Sequence, residues 1–513
     1  MAMEVELEPM AASIGVTVPV LRFLLCFAAT VPLSFLWRIV PGRLPKHLYS
    51  AGIGVSLSYI SFGLSSNMHF LVLIMIGYSS MLLLRPRCGI LTFFLGFGYL
   101  IGCHVYYMSG DVWKDGGIDD TEEEGLREAQ QKYRLTKLPS LVEYIGYCLC
   151  CRSHFAGAVF EMKDNLDWTE GKGIWNKEAK RPSPSPYGAT IRALIQAGFC
   201  MALYLYLVPY FPLSRFTEPI YQEWAFWKKF GYQYMSRFTE PIYQEWAFWK
   251  KFGYQYMSGF TARWKYYFIW SVSEASIIIS GLGFSGWANS SPPKPRWDPA
   301  KNVNILGVEF AKSSVVIPTV WNIQVSTWLR RCEFLIIEFC ILFLQMFMSG
   351  LFRVVRNPDS FSYLLHRPSN CFIVLVSCIV ESALYNILAL LLQGVYPGYI
   401  IFFVQSALMI AGSRAIYRWQ QVTAPSMANA FVFLNFAYTL VVINYSSVGF
   451  LVLNLHETLA AFGRVYYIGT ILPILMILLG KVIKPRKPAR SKAQKEQWGR
   501  HCNSIFMKFL IWD

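Results

Sequence analysis

Charge is what this sequence has least of. Of its 513 residues, 15% are Asp, Glu, Lys or Arg, where a soluble domain carries about a quarter. With 54% hydrophobic residues, 17% aromatics and a mean hydropathy of +0.35, the deficit excludes an ordinary soluble globule and points to a polytopic membrane protein. The motifs of soluble enzymes are missing as well. There is no phosphate-cradling Walker loop, no HExxH zinc helix, no G-x-S-x-G elbow and no dinucleotide fingerprint. The opening MAMEVELEPM has three glutamates and no basic region, so the first apolar run is expected to be a retained helix and not a cleaved signal. A disulfide framework is also lacking. Several of the twelve cysteines sit inside apolar runs, as Cys26, Cys200, Cys340 and Cys378 do, where they act as small hydrophobes. The densest group, Cys148, Cys150 and Cys151 with His154 nearby, lacks the paired, separated spacing of a zinc site. It reads as buried or palmitoylated thiols, and no metal or resident cofactor is expected. The seven histidines form no cluster.

What is present is a series of apolar runs that are candidates to cross a bilayer core of about 30 Å, some of them short. They cover Val18 to Val40, Leu48 to Leu64, Phe70 to Leu84, Cys88 to Met108, Ile191 to Phe211, Trp264 to Trp287, Glu333 to Phe352, Cys371 to Leu392, Tyr399 to Ala411, Ala428 to Leu453 and Val465 to Ile483. Leu141 to Phe160 is a weaker candidate. The expected fold is an all-α, polytopic transmembrane helical bundle of about ten to twelve membrane segments, some re-entrant or tilted where Gly and Pro interrupt them. The net charge of +16 sits on Lys and Arg that flank these runs, as residues holding helix ends at headgroups do. Nucleic acid is therefore not an expected partner; the lipid bilayer is. Residues 1–484 read as one membrane domain. The basic tail from 485 to 513 begins with Pro485, Arg486 and Lys487, and argues for a cytosolic C-terminus.

One polar stretch is unusual. Ser214 to Met235, SRFTEPIYQEWAFWKKFGYQYM, is repeated letter for letter as Ser236 to Met257. A solenoid keeps core positions and lets surface positions drift, so two identical copies mark a duplication and not a repeat architecture. One copy makes physical sense as an interfacial helix. Thr217 caps it, Pro219 sits in the first turn, and Trp224, Phe226, Trp227, Phe230 and Tyr234 line it beside Lys228 and Lys229. The second copy adds about 22 residues that the fold has to accommodate.

Polar groups within lipid-compatible segments are functional suspects, because each must face a cavity or find a partner. Glu274 is one, although the small residues around it (Ser271, Ser273, Ala275, Ser276) suit helix packing equally well. Asn322, in VWNIQVSTWLRR, is a second. A third is His456 in NLHETL, where a base beside a carboxylate and an interfacial hydrogen bond are both open readings.

Four stretches carry a family resemblance: YMSGFTARWKYYFIWSVSEASIIISGLGFSGW (256–287), VWNIQVSTWLR (320–330), KYRLTKLPSLVEYIGYCLC (132–150) and VYPGYIIFFVQSALMIAGSRAIYRWQQ (395–421). They resemble the membrane-bound O-acyltransferase (MBOAT) family, and within it the plant lysophospholipid acyltransferases. The likeness covers about four-fifths of the chain. It implies transfer of an acyl chain from acyl-CoA, as co-substrate, to the free hydroxyl of a lysophospholipid of the lysophosphatidylcholine type, in the endoplasmic reticulum membrane. It also implies an intramembrane Asn and His. The Asn corresponds to Asn322 in Trp321-Asn322, and the His precedes Gly-Val-Tyr-Pro-Gly-Tyr, where this chain has Gln393 after Leu392. Trp321, Tyr396, Glu274 and His456 are further candidates for substrate contact.

Glutamine hydrogen-bonds but takes no proton near neutral pH, so Gln393 does not perform the family's base step. Residues 331–392 show no likeness to the family at all, and a further break falls at Asp119 to Glu122. With the exact repeat, these three discontinuities read as retained intron, skipped exon and duplicated exon in an acyltransferase gene. The alternatives are a catalytically inactive relative that binds lipid or acyl-CoA and, with no inverted repeat to support it, a transporter.

Overall fold

The computed structural model describes residues 17–83, 88–107, 137–150, 160–176, 183–212, 248–298, 300–327, 396–421 and 425–482, together with 7–11 and the single positions Leu135, Phe155, Phe216 and Thr423. Helix α1, Val18–Ile39, has a proline in its first turn and is about 33 Å long at ~1.5 Å per residue, enough to cross a bilayer core. Its buried positions include Thr30 and Ser34, while Leu25, Leu36 and Ile39 are exposed. Small polar residues face the bundle beside Leu21, Phe27 and Trp37, while these other large apolar residues face outward, as suits lipid. Helix α2, Arg43–Leu83, joins the two spans expected at Leu48 to Leu64 and Phe70 to Leu84. The backbone leaves the helix at Gly63, at φ 79° and ψ −178°, a conformation that glycine adopts without steric cost. Asn67 donates to the Gly63 carbonyl at 2.6 Å across that break.

Helix α3, Cys88–Tyr107, packs on α2. The weaker candidate over Leu141 to Phe160 is instead an eight-residue helix, α4, Leu141–Cys148, too short to span. Its start follows from sequence: Ser140 and Glu143 form a reciprocal capping box. Arg43 then bridges Glu143 and Glu170, the latter at the end of helix α5, Met162–Glu170. Trp168 of α5 stacks on Trp37 of α1 at 3.9 Å, with the Lys46 ammonium 4.0 Å over its ring. One end of the bundle is latched in this way.

Helix α6, Tyr187–Leu207, and helix α7, Phe248–Ser280, pack along each other. Twenty-one residues of α7 are buried, on all sides, which marks it as the central helix; it also touches α1 and the later helix α11. Its length takes in the first part of the span expected from Trp264 to Trp287, which ends earlier, where Gly281 turns the chain at φ 87°. Beyond it, β1 (Gly286–Trp287) pairs antiparallel with β2 (Pro295–Arg296) in a short hairpin. Two small helices follow, α8 (Ile305–Glu309) and α9 (Ile317–Val320), with a 3₁₀ turn at Ser314–Val316 between them. Helices α10 (Pro397–Gln420), α11 (Pro425–Val452), α12 (Leu455–Gly463) and α13 (Ile468–Val482) complete the bundle.

Among the described residues, five helices are long and apolar enough to cross a membrane, and a sixth span results if α12 and α13, bent by 72°, count as one. The expected spans Glu333 to Phe352 and Cys371 to Leu392 lie outside the described residues, as do Gln393, the interfacial helix expected over Thr217 to Tyr234, and the basic tail.

The duplication is visible at its edges. Phe216, near the start of the first copy, is fully buried and packs edge-on against Tyr254, near the end of the second, at 5.5 Å. Tyr254 Oη donates to the Pro212 carbonyl at 2.6 Å. The start of one copy and the end of the other thus behave as a single unit. Deleting residues 225–246, which restores one copy, should leave the melting temperature in detergent unchanged or slightly raised. Cutting the interval between Phe216 and Phe248 from 31 residues to 9 changes its closure cost by only about 1 kcal/mol. A large drop would show that the duplicated residues are structurally required.

Glu143 yields a pH prediction. Burial pushes its carboxyl upward, but hydrogen bonds from the Ser140 backbone and hydroxyl and from Arg43 outweigh this and hold it below the usual carboxylate value. Its folded pKa is depressed, so its contribution is present above the unfolded value of about 4.3 and is lost as pH falls through the folded one. The stability advantage of wild type over Glu143→Gln should therefore shrink below about pH 4, as read from melting curves.

Candidate active site

Two of the residues singled out in sequence, Trp321 and Asn322, lie on the strap that follows β2, 297–327. Two backbone contacts close this strap on itself. Asn304 N–H donates to the Val320 carbonyl at 2.8 Å, and Ile323 N–H to the Asn302 carbonyl at 2.9 Å. Between them α8 is capped by Asn304, and Asn322 takes a left-handed conformation at φ 47°, which Asn tolerates better than most residues. Asn322 then starts the next helical turn, its carbonyl accepting from Ser326 N–H at 3.1 Å.

Side chains from three helices hold the strap in the bundle. The Arg263 guanidinium, from the middle of α7, grips Glu309 of α8 as a fork. Nε donates to Oε1 and Nη2 to Oε2, both at 2.9 Å. The third arm, Nη1, donates to Asn444 Oδ1 of α11 at 2.6 Å. Tyr267 Oη donates to Glu309 Oε1 at 2.7 Å. Further along, Ser314 N–H donates to Ser413 Oγ of α10 at 3.1 Å, Ser313 Oγ lies 2.8 Å from the same oxygen, and Ser314 Oγ lies 2.9 Å from Thr439 Oγ1 of α11. Ser413 Oγ donates onward to Asn435 Oδ1 at 2.7 Å. Sequence reading missed this network. Its signal lies in the charged Arg263 and in Asn435 and Asn444, polar residues set in otherwise apolar runs.

Trp321 sits in an aromatic box, with ring centroids 4.9 Å from Trp270, 5.7 Å from Tyr267 and 5.8 Å from Tyr266. Tyr267 is shared: its hydroxyl binds Glu309 and its ring contacts Trp321. Asn322, 5% exposed, accepts from Asn302 Nδ2 at 2.9 Å through Oδ1. Glu274 is buried on α7 two turns beyond Tyr267. The charges acting on it are those of Lys301 and Asp298 on the strap and Arg192 on α6. Tyr396 occupies the N-cap position of α10, with Pro397 in the first turn. Its ring is 5.9 Å from Tyr399, which lies 4.9 Å from Phe450, and Phe450 and Trp321 pack on the same apolar cluster. Gly398 N–H donates to the Leu453 carbonyl at 2.9 Å. A Cβ at Gly398 would lie 2.3 Å from the Gly449 carbonyl oxygen, so the Tyr-Pro-Gly-Tyr turn seats the start of α10 directly on the end of α11. His456 stands apart from these contacts. It is exposed on the first turn of α12, its backbone N–H bound by Asn454 Oδ1 at 2.9 Å.

Apart from His456, these residues form buried polar and aromatic clusters in which Asn322 offers an amide and Arg263 and Glu309 neutralise each other. Among the described residues, no histidine belongs to them. The comparisons with known proteins bear on what they serve. A profile of the membrane-bound O-acyltransferase family matches residues 63–236 and 230–332. Lysophospholipid acyltransferase 1 of Arabidopsis thaliana is 58% identical over 96% of this chain and 100% of its own length. The chain belongs to the membrane-bound O-acyltransferase family. Lysophospholipid acyltransferase 2 of the same plant is 57% identical over 96% of the chain and 99% of its own length. Membrane-bound glycerophospholipid O-acyltransferase 1 of Mus musculus is 26% identical over 94% of each. The MBOAT chain is thus a helical, multi-pass membrane protein. One boundary of its family match falls at the junction of the two identical copies, and the other two residues past Arg330.

The Arg263–Glu309 pair is open to test. Glu309→Ala leaves a buried guanidinium without its counter-charge and should cost about 3–5 kcal/mol, seen as a large loss of melting temperature and of folded yield. Asp298→Ala breaks the pair with Arg296, whose side chains are 55% and 58% exposed, and should cost about 0–1 kcal/mol. Equal effects would mean that the buried fork is not what holds the strap.

Proposed function

We propose that the gene for this chain encodes a lysophospholipid acyltransferase that moves an acyl chain from acyl-CoA to the free hydroxyl of a lysophosphatidylcholine-type lipid, in phospholipid remodelling at the endoplasmic reticulum membrane, with a cytosolic C-terminal tail. The observation that carries this is the 58% identity over nearly the whole length to a plant protein named for that activity. In this reaction the lipid hydroxyl oxygen attacks the thioester carbonyl, the carbon–sulfur bond breaks and CoA leaves as the thiol. The hydroxyl proton needs a base. A buried chamber keeps water from taking the acyl group, and Asn322, Trp321, Tyr396 and Glu274 are the candidates for holding the reactants.

Gln393 stands where the resemblance expects the basic histidine. Loss of a general base typically lowers the rate by about 10²- to 10⁴-fold. The chain with Gln393 is therefore an impaired enzyme, and that residue favours a second reading, a relative that binds lysophospholipid or acyl-CoA without turnover. The deciding experiment sequences the native transcript from the codons for Leu329 through Tyr399, where Trp-His-Gly is expected before Val395. In parallel, membranes carrying the full chain and its Leu392→Trp, Gln393→His form are given labelled acyl-CoA and lysophosphatidylcholine. The histidine form should make labelled phosphatidylcholine at least about 10²-fold faster. A transcript reading Leu-Gln-Gly, with both forms inert and lysophosphatidylcholine still raising the melting temperature, would replace the enzyme with the binder.

A further inference from the structure

An asparagine amide has two ends, one that accepts and one that donates, and which end faces a reactant decides what it can do. Asn302 and Asn322 are 3% and 5% exposed. Asn302 Oδ1 accepts from the backbone N–H of Gln324 at 2.9 Å. A backbone N–H only donates, so the oxygen end of Asn302 is fixed there. Its nitrogen end then faces Asn322 Oδ1, 2.9 Å away. The Asn302 carbonyl accepts from Ile323 N–H as well, at 2.9 Å, so Asn302 is held at three points by the segment that carries Asn322.

We propose that Asn302 is a positioning residue that sets the orientation of the Asn322 amide, turning its oxygen toward Asn302 and leaving its nitrogen as the donating end. Asn322 accordingly acts as a hydrogen-bond donor. This rests on the acyltransferase reading for its chemical consequence: a donor in a dry site stabilises an oxygen that gains negative charge, as the thioester carbonyl oxygen does when the lipid hydroxyl attacks. With the amide reversed, Asn322 would offer a carbonyl and could only orient another donor.

Asn302→Asp separates this from a merely structural role. One carboxylate oxygen still accepts from Gln324 N–H, but the other confronts Asn322 Oδ1 and forces that amide to turn round. Once protonated, the same carboxyl donates to Asn322 Oδ1 as the native amide does. The full chain and its Leu392→Trp, Gln393→His form are studied with Asn302→Asp and Asn302→Ala. Values are taken as differences from the parent at each pH, so that contributions from the charged groups Asp298 and Lys301 of the strap, and from Glu274 and Arg192, cancel. In detergent, Asn302→Asp should melt below its parent at pH 8 and regain most of the loss toward pH 5. Asn302→Ala, which strands the Gln324 N–H, should be lowered at both. In whichever form turns over, Asn302→Asp should lower kcat about 10²-fold at pH 8, with KM little changed, and recover toward pH 5. A melting difference that is flat with pH would overturn the pairing. An unchanged kcat at pH 8 would overturn the positioning role. If neither form turns over and the transcript reads Leu-Gln-Gly, the acyltransferase reading falls while the melting comparison still decides how Asn302 holds Asn322.

Discussion

A guanidinium gripping a carboxylate inside a membrane protein is the constraint on which this site depends. Neither Arg263 nor Glu309 is tolerable alone in so buried a place, because each would forfeit its hydration without return. Together they satisfy each other through two parallel bonds, and the leftover donors and acceptors go to Asn444 and Tyr267. The pair ties the strap to the central helix and to α11 at one point. Tyr267 passes that position on, since the ring whose hydroxyl holds Glu309 is also a wall of the Trp321 box. The placement of Asn322, the next residue in sequence, thus follows from a charge pair on the far side of that ring.

The bundle around it obeys the logic of lipid as solvent. Apolar surface gains nothing by burial when the surroundings are also apolar, so association falls to close packing and to polar groups that find each other. Ser, Thr, Asn and Gly accordingly face inward. The strap is irregular backbone at bundle depth, which is tolerated only because its polar groups are met by other parts of the protein. The Ser313–Ser314 turn is met by Ser413, Asn435 and Thr439, and the two ends of the strap are met by each other.

Much of this was legible in the sequence. Apolar runs of span length gave α1, α6, α10 and α11, and the Ser140–Glu143 spacing reads directly as a helix start. Asn322, Trp321 and Glu274 stand out because polar or bulky residues in such segments need a reason to be there. What did not show is pairing at a distance. Arg263 and Glu309 are 46 residues apart, and no local pattern says that they meet. Glu309 lies in a stretch that looks like a polar loop, so it reads as solvated. The single run over α2 hid in the opposite way: two apolar segments looked separate because Gly63 and Asn67 interrupt them, whereas the chain passes through with one glycine out of helical conformation. The expected span at Leu141 to Phe160 failed because hydrophobic content over Leu141–Cys148 reflects packing on α2 and not passage through lipid.

The duplication shows how a fold chooses between identical sequences. Both copies have the same propensities, so local preference cannot decide which is used. Position decides. Only the second copy runs on into the Arg263 helix without a break, so its final turns inherit the burial of α7. Only the first follows α6, so its Phe216 is the one at hand to cover Tyr254. A chain with one copy would supply both partners from a single stretch, and here they come from two. The family profile behaves in the same way, ending one match at 236 and starting the next at 230. The described contacts at the duplication, Phe216 on Tyr254 and Tyr254 on Pro212, therefore join the start of one copy to the end of the other. The same reasoning applies to the start of α10. The Tyr-Pro-Gly-Tyr turn is seated on α11 by contacts of its own, so the start of α10 is fixed by the Gly398–Leu453 bond and the close approach to Gly449, and not by anything the duplication changes.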